Sequence, residues 1–169
     1  MKQNSKKYFF IAISILFVFG IGQKPGFGQP QPPRPMQVYT VKDINFGAFI
    51  TGISGGTLIV YPNGSRSSTG AIYEINLGYQ FYPAIFEIEV NKGSLVSILF
   101  GPDATLTGSN GGTLTMHIGP SDPLSPFVTT VNPPGRTQIR IGGTLIVGNP
   151  QANPPGSYSG TFSLTFNQE

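Results

Sequence analysis

The chain has 169 residues, with ten Lys and Arg against seven Asp and Glu, one His and no Cys, for a formal charge of +3. The missing cysteines exclude disulfides, thiolate metal sites and a cysteine-linked lipid anchor, so an exported form must draw its stability from its core. The charge excludes a nucleic-acid-binding footprint, because four of the basic residues (Lys2, Lys6, Lys7 and Lys24) fall in the first 28 positions. Beyond them stand six (Arg34, Lys42, Arg66, Lys92, Arg136, Arg140) against seven acids (Asp43, Glu74, Glu87, Glu89, Asp103, Asp122, Glu169), a balance of −1 with no basic run.

Residues 1–28 read as a cleaved secretory signal peptide. A basic head precedes the uncharged apolar run from Phe9 to Ile21. That run is shorter than the roughly 18 to 20 residues that span a bilayer, and polar, Pro-rich sequence follows, so a retained anchor is the weaker reading and no span is expected after cleavage. Small residues allow cleavage before Gln29 (Gly26, Gly28) or before Gln23 (Gly20, Gly22). The expected location is the periplasm, the cell surface or the medium. Residues 29–36, with Pro30, Pro32, Pro33 and Pro35, form an extended lead-in that cannot supply continuous ladder donors.

Residues 37–169 form the single domain of this reading, a size at which one core suffices. No helical period occurs from Met36 onward, and short apolar blocks are punctuated by Gly, Pro, Asn and Ser. Strands are expected at Gln37 to Val41, Phe46 to Phe49, Thr57 to Tyr61, Ala71 to Ile75, Ala84 to Val90, Leu95 to Phe100, Thr113 to Ile118, Phe127 to Val131, Gln138 to Ile141, Thr144 to Val147 and Tyr158 to Phe166. Asn63-Gly64 marks a hairpin between the third and fourth; Asn63-Gly64-Ser65 also fits an N-glycosylation pattern, which the turn explains. The pattern predicts an all-β sandwich or barrel. Gly55-Gly56-Thr57-Leu58, Gly111-Gly112-Thr113-Leu114 and Gly142-Gly143-Thr144-Leu145 recur at unequal spacing, which points to one strand-starting device used three times rather than a repeat array.

The last strand carries Tyr158, Gly160, Phe162, Leu164 and Phe166 on one face and hydroxyls on the other. Only Asn167, Gln168 and Glu169 follow, so its free edge is expected to meet an earlier segment or another chain. These five residues are the candidate strand-exchange edge.

Chemistry is sparse, and no catalytic residue, cofactor or metal site is expected. His117 alternates with Leu114, Met116 and Ile118 and reads as an outward strand residue without a triad partner. Glu87 and Glu89 share a face, as a carboxylate pair would, but alternation with Phe86, Ile88 and Val90 makes them a solvated face. Asp103 to Gly112 is rich in oxygen ligands but lacks calcium-loop spacing and reads as a loop. Tyr79, Phe81 and Tyr82 are candidate ligand aromatics, with core or rim packing the competing reading.

Asp43-Ile44-Asn45-Phe46-Gly47-Ala48-Phe49, Gly55-Gly56-Thr57-Leu58, Ala84-Ile85-Phe86-Glu87-Ile88, Gly143-Thr144-Leu145-Ile146-Val147-Gly148 and Pro155-Gly156-Ser157-Tyr158-Ser159-Gly160-Thr161-Phe162 occur in an order that resembles the DUF4402 family of exported bacterial proteins. That family is in turn similar to the spore coat U and Csu-type pilin domains of chaperone–usher systems. The resemblance implies an immunoglobulin-like, pilin-like antiparallel sandwich lacking a last strand, which a periplasmic chaperone or neighbouring subunit donates. It implies a groove flanked by Phe162, Leu164 and Phe166 on one side and by Val38 to Phe46 on the other. The Pro-rich arm suits an acceptor better than a donor, and self-completion by Met36 to Val41 is the alternative. The functional expectation is a non-enzymatic surface protein, of structural or adhesion type, that acts as a fimbrial subunit or strand acceptor. Its rival is a freestanding domain that binds glycan or protein through the three aromatics.

Overall fold

A computed structural model describes residues 34–169. The segment read as a signal peptide and most of the Pro-rich lead-in therefore lie outside the described residues. Within them there is no helix, and thirteen strands run in chain order. They are β1 (Gln37–Lys42), β2 (Asn45–Phe46), β3 (Phe49–Val60), β4 (Arg66–Glu74), β5 (Phe81–Tyr82), β6 (Ala84–Glu89), β7 (Leu95–Phe100), β8 (Ala104–Gly108), β9 (Thr113–Asp122), β10 (Phe127–Val128), β11 (Thr137–Val147), β12 (Tyr158–Ser159) and β13 (Leu164–Gln168).

All strand ladders are antiparallel. The large sheet follows the order β1-β6-β11-β9-β8-β12, with the β3–β4 hairpin attached to β11; a smaller sheet has the order β10-β7-β13, and β2 pairs β5. β11 organises the large sheet. One of its edges pairs first with β6 (Thr137 to Ile141) and then with β3 (Gly143 to Val147), while the other carries β9. Its buried Ile139, Ile141, Leu145 and Val147 join Ile88, Leu114 and Met116 of the same sheet and Val96, Ile98 and Phe127 of the smaller one in a single apolar core. Each fully buried side chain of this kind is worth about 1.5–3 kcal/mol relative to exposure. The result is an antiparallel β-sandwich.

Most expected strands are present, and the differences have local causes. Residues 104–108 form β8, not a loop: Ala104 and Leu106 are buried opposite Met116 and Leu114, and only residues 109–112 turn the chain. Gln138 to Ile141 and Thr144 to Val147 are one continuous strand. Gly142 and Gly143 lie inside it, where β11 exchanges β6 for β3, and a Cβ on Gly142 would come within 2.6 Å of the Val60 carbonyl. The three double-glycine boxes are therefore not one device. Gly111-Gly112 precedes a strand, whereas Gly55-Gly56 sits at a bulge within β3.

That bulge bends the β3–β4 hairpin. Between the Thr51–Ile72 and Gly56–Gly70 pairs, five steps along β3 match two along β4, and both Gly55 and Gly70 have positive φ. Arg66 and Glu74 stand at opposite ends of β4, eight residues and about 26 Å apart on a straight strand. Their side chains nevertheless meet, with Arg66 Nε donating to Glu74 Oε2 at 3.1 Å. The Asn63-Gly64 turn closes the other end of the hairpin as expected: Gly64 has φ +84°, and Asn63 Oδ1 accepts from the Ser65 amide and hydroxyl.

The turn that carries β6 into β7, and so from one sheet to the other, is held by Thr129. This side chain is almost fully buried; its Oγ1 donates to Asn91 O at 2.7 Å and accepts from Ser94 N at 3.2 Å. Thr129→Val keeps the shape and removes these bonds. It should lower stability by about 1–3 kcal/mol, read from chemical denaturation with an unchanged m-value.

Candidate functional site

The terminal segment is not one strand. Tyr158 and Ser159 pair with β8 in the large sheet, whereas Leu164 to Gln168 pair with β7 in the small one. Between them the chain crosses the open side of the sandwich; Ser159, Gly160 and Thr161 are exposed, and the alternation resumes beyond them, with Phe162, Leu164 and Phe166 half-buried and Ser163 and Thr165 exposed. The Gly-Ser-Tyr-Ser-Gly-Thr stretch has a physical reason at Gly156, Tyr158 and Gly160. A Cβ on Gly160 would collide with the Thr105 carbonyl and Leu106 of β8, and one on Gly156 with the Ser109 hydroxyl. The Tyr158 ring lies against Gly108, and its hydroxyl donates to the Pro154 carbonyl four residues upstream at 2.7 Å. This resembles the tyrosine corner of β-sandwiches. Tyr158→Phe should cost about 1 kcal/mol, measurable as a shifted denaturation midpoint.

Beside this crossing lies a groove of about 1420 Å³. One wall is Tyr158, Gly160, Phe162, Leu164 and Phe166, and the other includes Val38, Thr40, Ile44 and Phe46. Its floor is the core itself: Leu106, Leu114, Met116, Leu145 and Val147 from β8, β9 and β11. All five candidate edge residues thus line one groove. Self-completion by Met36 to Val41 is not what is observed, because β1 hydrogen-bonds along β6 and forms the far wall instead.

The walls are incompletely covered. Val38 stands opposite Ile88 in register, so the two share a face, yet Val38 is 44% exposed and Ile88 1%. Among the described residues β1 pairs only with β6, and β13 only with β7. Phe86 of β6 and Phe166 of β13 meet with ring centroids 5.7 Å apart and tilt 57°, which closes the sandwich beneath the groove's end.

The other end is built by the Asp43-to-Phe49 motif. Asn45 Oδ1 accepts from the Gly47 amide, Gly47 takes φ +70°, and Phe46 is buried. Arg66 locks this turn from behind. Its side chain is 6% exposed, Nη1 donates to the carbonyls of Phe46 (2.7 Å) and Ala48 (3.2 Å), and the guanidinium stacks on Phe81 at 4.4 Å. A Cβ at Gly47 would sit 2.8 Å from that guanidinium, which together with the positive φ explains the glycine.

The three candidate ligand aromatics do not form one platform. Phe81 and Tyr82 are adjacent on β5 and so face opposite ways. The first is stacked by Arg66, and the second lies under the Lys42 ammonium at 3.5 Å. Only Tyr79 of the three lines the groove, and it is 69% exposed.

The sparse titratable groups are engaged with one another. Glu87 and Glu89 lie on the outer face of β6, where Arg136 reaches both (3.2 and 3.7 Å) and Arg34 reaches Glu89 (3.3 Å). Arg136 also stacks on Tyr39 at 3.8 Å. The Glu87 hydrogen bond is the leading cause that holds the Arg136 guanidinium above its already high ordinary pKa. His117 is exposed as expected, but it has a partner that the sequence did not reveal, Asp103 Oδ1 at 2.8 Å from Nδ1. Among the described residues no three His, Cys, Asp or Glu side chains gather as metal ligands, and no helix is long and apolar enough to cross a membrane.

Fold and groove define an antiparallel β-sandwich with a seam, uncovered among the described residues, between the edge strands of its two sheets. The chain belongs to a family described as a domain of unknown function, DUF4402, whose model matches residues 36–167. No curated protein and no solved structure matches it.

Proposed function

We propose that this is an exported, non-enzymatic surface protein that acts by protein–protein contact, accepting a β-strand in the groove between β1 and β13. It is pilin-like in this respect, a structural or adhesion-type subunit whose partner is a periplasmic chaperone or a neighbouring subunit. The observation that carries the reading is the groove itself, where core-facing side chains such as Val38 stay exposed beside strand edges that have no neighbour among the described residues. An inserted strand would cover the apolar floor and satisfy the backbone groups at once. The rival reading through Tyr79, Phe81 and Tyr82 is weaker, since two of the three are already held by cations.

The test is thermal unfolding and chromatographic size of the full chain with and without extended peptides of alternating apolar residues. A raised melting temperature in the presence of peptide is expected. A monomer whose melt no such peptide changes would overturn the reading.

A further inference from the structure

The free edge of β13 has a parity that the hydrogen bonds reveal. In an antiparallel ladder, residues alternate between those whose N–H and C=O both face the partner and those whose groups face away. Glu169 N donates to Leu95 O, and Ser163 O accepts from Gly101 N. The odd-numbered residues from 163 to 169 therefore spend their backbone groups on β7. Those of Leu164, Phe166 and Gln168 point to the open side. The side chains of the same three residues are the half-buried ones, so edge polarity and core-facing side chains coincide.

This coincidence sets which side chains of an added strand would enter the seam. Resting on the strand-acceptor reading above, we propose that the occupant is an extended segment of another polypeptide running antiparallel to β13, the direction of every strand ladder in this fold and the slightly more stable one per residue. The segment's apolar residues stand directly opposite Leu164 and Phe166 and exchange backbone hydrogen bonds with them. In that register the apolar side chains of the segment enter the groove over Leu106, Leu114, Met116 and Leu145, and the residues between them face outward. Among the described lining residues the only charged one is Asp43, so the inward positions are uncharged and the segment as a whole is neutral or basic. Two strand edges that are bare among the described residues and a strip of core favour a polypeptide over a lipid, which would leave the N–H and C=O groups of Leu164 and Phe166 unsatisfied.

The probes are eleven-residue peptides alternating Ile or Val with Thr and Lys, together with a scrambled peptide of the same composition and two N-methylated versions. One carries N-methyl groups on two inward residues and the other on two outward residues. Binding to the full chain is read by calorimetry and by the shift in melting temperature. The alternating peptide should bind and the scrambled one should not, and inward N-methylation should weaken binding by roughly tenfold or more, since each methyl removes a donor from the new ladder. If inward N-methylation is tolerated, the occupant is not paired to β13 in this register and the proposal falls, although strand acceptance itself survives. If neither the alternating nor the scrambled peptide binds, the broader reading fails with it. If the chain alone proves dimeric and Gln168→Pro makes it monomeric, β13 pairs with a second copy of itself, which also overturns the proposal.

Discussion

Arg66→Met should destabilise the protein by about 3 kcal/mol, the low end of the range for breaking a buried ion pair from one side. The low end applies because Glu74 is 32% exposed and is partly rehydrated when its partner is lost. Part of that loss comes from the Phe46 carbonyl, which loses the Arg66 donor in a turn where Gly47 already holds a left-handed conformation, whereas the Ala48 carbonyl keeps the Ile75 amide at 3.3 Å. Methionine conserves much of the aliphatic volume over Phe81, so the loss reports the charge and its hydrogen bonds more than packing. Glu74→Gln, which keeps an acceptor for Arg66 Nε, should cost less than half as much. Denaturation of both variants checks the order. Equal effects would place the energy in the ion pair and not in the carbonyl latch.

The latch also marks where the sequence stops being legible. Arg66 and Glu74 have the same parity and so share a face of one strand, which alternation alone establishes. That they touch depends on three extra residues of β3, around Ile53, that bend the hairpin and leave Ile53 91% exposed. Nothing local to either charged residue encodes that bend. The paired Gly55-Gly56 and lone Gly70 are its trace, but in sequence they are indistinguishable from glycines that begin a strand.

Where burial alternates locally, the reading and the structure agree. β7 spans Leu95–Phe100 as its pattern requires, and β6 ends within a residue of its expected limit. The segment 104–108 escaped because its outward residues, Thr105 and Thr107, are flanked by the Gly, Ser and Asn of the turn, and those residues outweighed the buried Ala104 and Leu106. The terminal stretch shows the complementary failure. In sequence its period of two runs from Tyr158 to Phe166, yet in the structure Ser159, Gly160 and Thr161 are all exposed where the chain changes sheets, because alternation of residue types records which face is wet and not which strand lies alongside. The wall that carries Phe162, Leu164 and Phe166 was readable for this reason, while the opposite wall from Val38 to Phe46 came from the family resemblance. The floor of the groove was not readable, since Leu114, Met116 and Leu145 look like ordinary core positions until β8, β9 and β11 are placed side by side.

Phe166→Asp paired with Thr165→Asp separates the face that matters from the strand that carries it. Phe166 packs against Phe86 and lines the groove, so a carboxylate there loses part of an aromatic's burial and takes a charge toward the core. Full truncation of a buried Phe costs about 3–5 kcal/mol. The half-buried position reduces that and the charge restores some of it, for an expected loss of about 3 kcal/mol. Thr165 is one residue earlier, exposed, and paired to Leu99 on the same ladder, so its carboxylate stays in water and stability should change by less than about 0.5 kcal/mol. The two variants add the same charge to the same strand, so any common effect of charge cancels in the comparison. A small change at 166 together with a large one at 165 would mean that β13 presents its other face inward. The groove would then be walled by hydroxyls, with no apolar seam for a partner to fill.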